Sequence, residues 1–237
     1  MRRIARANEY LLHLNIELII SICSVLLEKS FMDFSNFFQV WSLYQTRAEI
    51  SYLLHHLDWT HMHTFDTNGL TPQGVRFSLF LHDCKNLGIN HALCYDACKN
   101  LMSGHQPLDN LQILHTISDN HSLSFLAYFI FKPFYQNTSP EESASSLYHK
   151  FLTSMHFRSN LVNNCVILEA RRTVHHVGWG QVPRIVPEHP ICPFSVSRCD
   201  GHYYRYGWPP MLDDITRATC PNCFLDMLFS FIFNHYY

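Results

Sequence analysis

Charged residues are scarce in this chain, since Asp, Glu, Lys and Arg together make up 15% of its 237 residues. The formal net charge at pH 7 is −2, whereas tight nucleic-acid binding ordinarily needs a basic excess that neutralises phosphates. The composition therefore argues against tight binding to nucleic acid. Hydrophobic residues reach 47%, so we expect part of the surface to be covered by other protein.

Three further absences narrow the class of protein. No stretch reaches the ~20 apolar residues that cross a bilayer, and the apolar stretch Ile16–Leu27 is followed by no small-residue cleavage site. The Gly-x₄-Gly-Lys-Ser/Thr loop that cradles nucleotide phosphates is missing. Nine scattered cysteines fit thiols and metal better than a disulfide framework. We therefore expect a cytoplasmic protein with no membrane span and no nucleotide-binding motif.

Apolar periodicity predicts helices from about residue 5 to residue 157. The segment around residues 11–22 is so densely apolar that we expect its helix to be buried on more than one side. The stretch Phe34–Leu57 is predicted to be a second helical stretch.

Helix-end signals place several boundaries. Thr71 before Pro72 is typical of a helix start, and Gly88 suits the left-handed residue that ends the same helix. Ser139, followed by Pro140 and by Glu142 three positions on, predicts a capping box at the start of another helix.

The character of the sequence changes after about residue 168. Seven of the eleven prolines lie between Pro183 and Pro221, which disfavours helix from residue 178 to residue 223. We predict a mainly α protein with an all-helical region at 1–172, a small irregular module at 180–223, and a hydrophobic tail at 224–237. About forty residues of this kind seldom fold on core burial alone, so the module is expected to be stabilised by a metal.

Two pairs of metal-ligating residues lie in that module. Cys199 and His202 are separated by two residues, Cys220 and Cys223 likewise, and seventeen residues lie between the pairs. This spacing predicts one structural Zn²⁺ held by Cys199, His202, Cys220 and Cys223 in a tetrahedral Cys₃His site. Cys192 is an alternative ligand in place of His202 or Cys199.

The same segment resembles a known zinc finger. Cys199-Asp200-Gly201-His202-Tyr203-Tyr204, then Gly207, Pro210-Met211 and finally Cys220-Pro221-Asn222-Cys223 resemble the RZ-type zinc finger of mysterin-type ATPase/ubiquitin ligases and of NFX-type zinc-finger helicases linked to antiviral defence and RNA. The resemblance covers about 25 residues. It implies zinc ligation by the four residues named above and a role in ubiquitin transfer, with a ubiquitin-conjugating enzyme or a substrate as partner.

The other His and Cys clusters are interpreted as structural rather than as metal sites or catalytic sites. His55, His56, His61 and His63 lie close together near Asp58, but without a regular ligand spacing.

His91, Cys94 and Cys98 would share one helical face, where buried cysteines usually act as small hydrophobes. No flanking motif marks a nucleophile among the remaining cysteines, so the catalytic residue, if one exists, stays unknown.

Three functions follow from these features. The first is a zinc-binding fragment or relative of a mysterin-type ubiquitin ligase, in which the zinc is structural. The second is a non-enzymatic zinc-knuckle adaptor that binds protein or RNA in innate immunity. The third is a helical scaffold without metal, whose folding a chelator would leave unchanged.

Overall fold

The computed structural model describes residues 14–59, 71–136, 139–154 and 217–233, together with Ser159 and Ile215. These residues are mainly helical and include no strand, which confirms the predicted mainly α class for this part of the chain. The helices are α1 (Ile16–Lys29), α2 (Phe31–Ser42), α3 (Arg47–His56), α4 (Pro72–Asn86), α5 (Asn90–Met102), α6 (Pro107–Ile117), α7 (Ser122–Tyr135), α8 (Pro140–Thr153) and α9 (Pro221–Phe233).

Local cap chemistry explains where several helices begin and end. The Thr71 hydroxyl accepts the backbone N–H of Gly74 at 3.0 Å, at the start of α4. The Ser139 hydroxyl accepts the backbone N–H of Glu142 at 3.1 Å, at the start of α8. Gly88 follows α4 with φ +74°, a conformation that favours glycine. The predicted positions of these helix ends are confirmed, and at Ser139 the structure shows the serine half of the predicted capping box.

Two local predictions are wrong. The stretch predicted over Phe34–Leu57 is divided at residues 43–46, because Thr46 and Glu49 form a reciprocal capping box that starts α3. The segment expected to be buried on more than one side buries only one stripe of α1 in its described part. Leu18 is 48% exposed on that helix, while Ile19 is buried.

The described chain divides into two compact units, residues 1–92 and 93–237. In the first unit, α1 packs on α2 and α3, and α2 packs on α4. Its core is rich in aromatic rings. The rings of Phe31 and Phe34 lie 5.8 Å and 5.3 Å from that of Phe80, and Trp59 stacks on Phe80 at 5.8 Å. These separations are typical of favourable aromatic pairs.

In the second unit, α6 packs on α7, α7 on α8, and α8 on α9. Helix α9 begins at Pro221 and continues through the first part of the predicted hydrophobic tail. The prediction that helix is disfavoured up to residue 223 is therefore wrong at its end, because Pro221 occupies the first helical position, where proline is tolerated. From Cys223 to Leu228 every residue is buried. Phe224 is fully buried and its ring lies 5.1 Å from that of Phe151 and 5.5 Å from that of Tyr148.

The predicted boundary near residues 172–180 and most of the module at 180–223 lie outside the described residues and stay predictions. Within the described ranges, no helix combines the length and apolar content needed to cross a membrane.

The capping box at Thr46 gives a first testable prediction. Thr46→Ala removes the acceptor for the Glu49 N–H (3.3 Å), and we expect it to lower the free energy of unfolding by about 1 kcal/mol. Thr46→Ser keeps the hydroxyl and is the matched control, expected to stay near wild type. Urea denaturation followed by far-UV circular dichroism measures both. An equal loss of unfolding free energy in both variants would contradict the role of the Thr46 hydroxyl as a helix cap.

The capping box at Thr46 also makes a pH-dependent contribution to the free energy of unfolding. The backbone N–H of Thr46, and next its hydroxyl, hold the pKa of Glu49 below its usual value of 4.5. A lowered pKa in the folded state stabilises the fold above pH 4.5, and this contribution disappears as the pH falls through the lowered value. The difference between wild type and Thr46→Ala is therefore expected to shrink on acidification.

Candidate metal centre

Cys220 and Cys223 lie at the start of α9. The Cys220 carbonyl accepts the backbone N–H of Phe224 at 2.9 Å, so Cys220 occupies the cap position immediately before the helix. Pro221 takes the first helical position, where its missing N–H leaves no hydrogen bond unmade. Cys223 is then the third helical residue. Side chains at the cap and third positions lie across the first turn from each other, as the capping box illustrates.

This position suits anionic sulfur ligands. Cys220 is partly exposed and Cys223 is buried, so the pair extends from the core to the surface of the second unit. The first N–H groups of a helix carry a partial positive charge, which stabilises negative groups placed there. A metal-bound thiolate is such a group. The two described cysteines therefore fit a zinc site in residue type, spacing and location.

Packing beneath the pair fixes its position. Tyr148 on α8 donates its hydroxyl to the carbonyl of Ala218 at 3.0 Å, two residues before Cys220. Ile215 and Ala218 are buried, and Phe224 packs on the α8 rings immediately after Cys223. The Cys220–Cys223 turn is thus flanked on both sides by contacts to α8, which position one half of the predicted site.

The other two predicted ligands, Cys199 and His202, lie outside the described residues, as does the alternative ligand Cys192. The four-ligand site therefore stays a prediction. Within the part of the chain that the structure describes, no group of three or more His, Cys, Asp or Glu side chains is placed to hold a metal.

The described histidines of the His-rich segment are exposed and make hydrogen bonds within the last turns of α3. Nδ1 of His55 lies 2.7 Å from the Ser51 carbonyl, and Nδ1 of His56 lies 2.8 Å from the Tyr52 carbonyl. Because carbonyls only accept, each Nδ1 carries the proton in these bonds. The two residues are adjacent in α3 and do not face each other. His61 and His63 lie outside the described residues.

A buried cluster in the second unit joins Cys94, Cys98 and His121. Both cysteines are buried, as expected for core residues. The backbone N–H of Ser124 donates to Nδ1 of His121 at 3.2 Å. The Ser124 hydroxyl oxygen lies 2.6 Å from the same ring nitrogen, so His121 caps the start of α7 with its Nδ1. His121 was not predicted to be part of a cluster, although a polar residue before the apolar run of α7 is a cap signal.

The Cys94 thiol at the centre of this cluster is unreactive. The hydrogen bond to Cys98, followed by complete burial, raises the pKa of Cys94 well above its usual value of 9.0. Burial likewise raises the pKa of Cys23 to about 12. Because the thiolate is the nucleophile, these protonated sulfurs do not suit covalent catalysis. Cys220 and Cys223 are the described cysteines whose position suits a metal-bound thiolate.

Comparisons with protein-family models, with curated proteins and with solved structures found no match for this chain.

Proposed function

We propose that this chain is a zinc-binding protein whose single structural Zn²⁺ is held by Cys199, His202, Cys220 and Cys223. The observation that supports it best is the placement of Cys220 and Cys223 at the cap and third positions of α9, against a packed core. The C-x₂-H-x₁₇-C-x₂-C spacing supplies the other half of the argument.

The metal has a structural role in this proposal. Four protein ligands close a tetrahedral coordination sphere and leave no position for a reactive water. Zinc cross-links a segment that contains seven prolines. This segment has few residues with which to build a core, so metal binding contributes to its folding free energy. The side chains of Cys220 and Cys223 connect that segment to the second helical unit through the first turn of α9.

We further propose that the module acts through protein partners, as a relative of mysterin-type ubiquitin ligases. Its resemblance to the RZ-type finger supports a role in holding a substrate or a ubiquitin-charged conjugating enzyme. No residue of the described chain is assigned a catalytic role in that transfer. A cytoplasmic location belongs to the same proposal, because free thiols and zinc ligation suit a reducing compartment.

One observation favours the adaptor function as the second candidate. Large apolar side chains are exposed in the described part of the first unit, including Leu43 at 79% and Leu79 at 61%. Exposed apolar side chains on a surface with few charges favour protein contacts. The net charge of −2 gives less support to RNA as the partner.

Zinc content per chain tests the metal site directly. We expect about one zinc in the wild-type protein by elemental analysis and none in Cys220→Ser/Cys223→Ser. The matched control is Cys23→Ala/Cys84→Ala, which removes two buried thiols of the first unit and is expected to keep its zinc. Folded wild type without zinc, or zinc retained by the Cys220/Cys223 variant, would overturn the site. Cys192→Ser decides the alternative ligand.

A discharge assay separates the two candidate functions. Ubiquitin-charged conjugating enzymes are incubated with wild type and with the zinc-free variant. Faster loss of the thioester with wild type alone supports the ligase relationship. Zinc-dependent folding without any discharge supports the adaptor.

A further inference from the structure

The first unit contains a partly open cavity of about 490 Å³, which the zinc proposal does not involve. This volume lies within the range of small-molecule sites. Helices α2, α3 and α4 and the turn after α4 supply its walls. The lining residues that bear on its chemistry are Phe38, Arg47, Leu54, Phe80, Asp83 and Cys84.

The inner part of the cavity is apolar and lined by packed aromatic rings. Leu54, Phe80 and Cys84 are buried, whereas Phe38 is only partly buried. The Phe38 ring stacks on Phe34 with centroids 5.6 Å apart, and it meets Phe80 edge-on at 5.7 Å. These contacts fix the plane of the partly buried ring. A flat apolar group entering the cavity would therefore meet a preformed aromatic wall.

The rim carries one positive and one negative side chain. Arg47 and Asp83 are both exposed and both line the cavity. The Arg47 guanidinium donates to the carbonyl of Asn86 at 3.2 Å, which orients it with one of its five N–H donors. The other donors suit a carboxylate. The Asp83 carboxylate is an acceptor that suits an ammonium group.

We propose that this cavity binds a small aromatic zwitterion, with its ring against Phe38, its carboxylate at Arg47 and its ammonium group at Asp83. The apolar floor accommodates the flat body of the ligand, and the two rim charges pair with its carboxylate and its ammonium group. A purely apolar ligand would gain nothing from the Asp83 carboxylate or from the remaining Arg47 donors. A ligand with one charge would satisfy only one of them.

Isothermal titration calorimetry on the full chain tests this with a matched set of probes. L-tryptophan carries both charges, indole-3-propionate lacks the amine, and tryptamine lacks the carboxylate. We expect L-tryptophan to bind about tenfold or more tightly than either analogue, the range of one or more charge-assisted hydrogen bonds. Equal binding of all three probes, or no saturable binding of L-tryptophan at millimolar concentration, would overturn the proposal.

Variants at the rim assign each end of the ligand. With Arg47→Met, L-tryptophan and tryptamine should bind alike, because the carboxylate has lost its partner. With Asp83→Asn, L-tryptophan and indole-3-propionate should bind alike. Arg217→Met, which removes an exposed arginine in the second unit, is the charge-matched control and should bind as wild type does. Either rim variant keeping the full wild-type discrimination would overturn the assignment. Because Arg47 and Asp83 are exposed, far-UV circular dichroism should be unchanged in all variants.

Discussion

Replacing Phe224 with alanine is expected to lower the free energy of unfolding by about 3–5 kcal/mol, the usual cost of removing a buried phenylalanine ring. Phe224 has no exposed surface, and its ring contacts Phe151 at 5.1 Å and Tyr148 at 5.5 Å on α8. The truncation would leave a cavity between two packed helices that cannot close without moving them. It removes the ring next to Cys223 as well, so zinc binding should weaken along with the fold.

Urea denaturation followed by far-UV circular dichroism measures this loss. Leu152→Ala provides the control on α8, because Leu152 is 53% exposed and adjacent to the buried Phe151. That exposed truncation is expected to stay within about 0.5 kcal/mol of wild type. A loss below about 1 kcal/mol for Phe224→Ala would contradict the packing of α9 on α8. It would return the C-terminal segment to the role of an unpacked tail.

Helix boundaries were predictable wherever a local side chain determines them. Thr71 and Ser139 satisfy backbone N–H groups three residues away, and Gly88 supplies a positive φ. These are short-range effects that the sequence displays directly. The break before α3 depends on the same chemistry, and the Thr46–Glu49 pattern was present in the sequence but was overlooked within an apolar stretch.

Burial was harder to predict than helix formation, because it depends on which elements pack together. The apolar residues of α1 predicted a helix buried on several sides. In the structure Leu18 is exposed, whereas Ile19 is buried. The apolar segment after Cys223 was set apart as a tail, whereas its described residues form a buried helix on α8. Periodicity shows that a helix has an apolar face but not what covers that face.

The candidate sites divide in the same way, between residues close in sequence, whose pairing was predictable, and residues from different helices, whose contacts were not. Cys220 and Cys223 are close in sequence, so spacing alone predicted a ligand pair, although it did not predict the helix start on which the pair lies. His121 reaches Cys94 from another element, and the cavity brings Phe38, Arg47 and Asp83 together from three helices. No local sequence pattern predicts contacts between residues so far apart in the chain. They became visible only once the helices were packed.

Removing the metal is expected to have the largest effect of all. Zinc binding in small zinc modules is worth on the order of 10 kcal/mol of folding free energy, so chelation should unfold residues 180–223. Helix α9 should respond unevenly. Its first turn loses the metal-bound cysteines, while Leu225, Met227 and Leu228 remain buried in the second unit. We therefore expect faster amide exchange at 222–224 and preserved protection at 225–228.

Hydrogen exchange read by mass spectrometry, with and without a zinc chelator, measures this directly. Peptides from α2 and α4 of the first unit serve as internal controls and should exchange at the same rate in both conditions. The Cys220→Ser/Cys223→Ser variant should exchange fast in 180–223 from the start and show no further response to chelator. Re-addition of zinc should restore protection in wild type alone. Unchanged exchange throughout 180–224 in chelator-treated wild type would show that these residues fold without metal, and the chain would then be a helical scaffold.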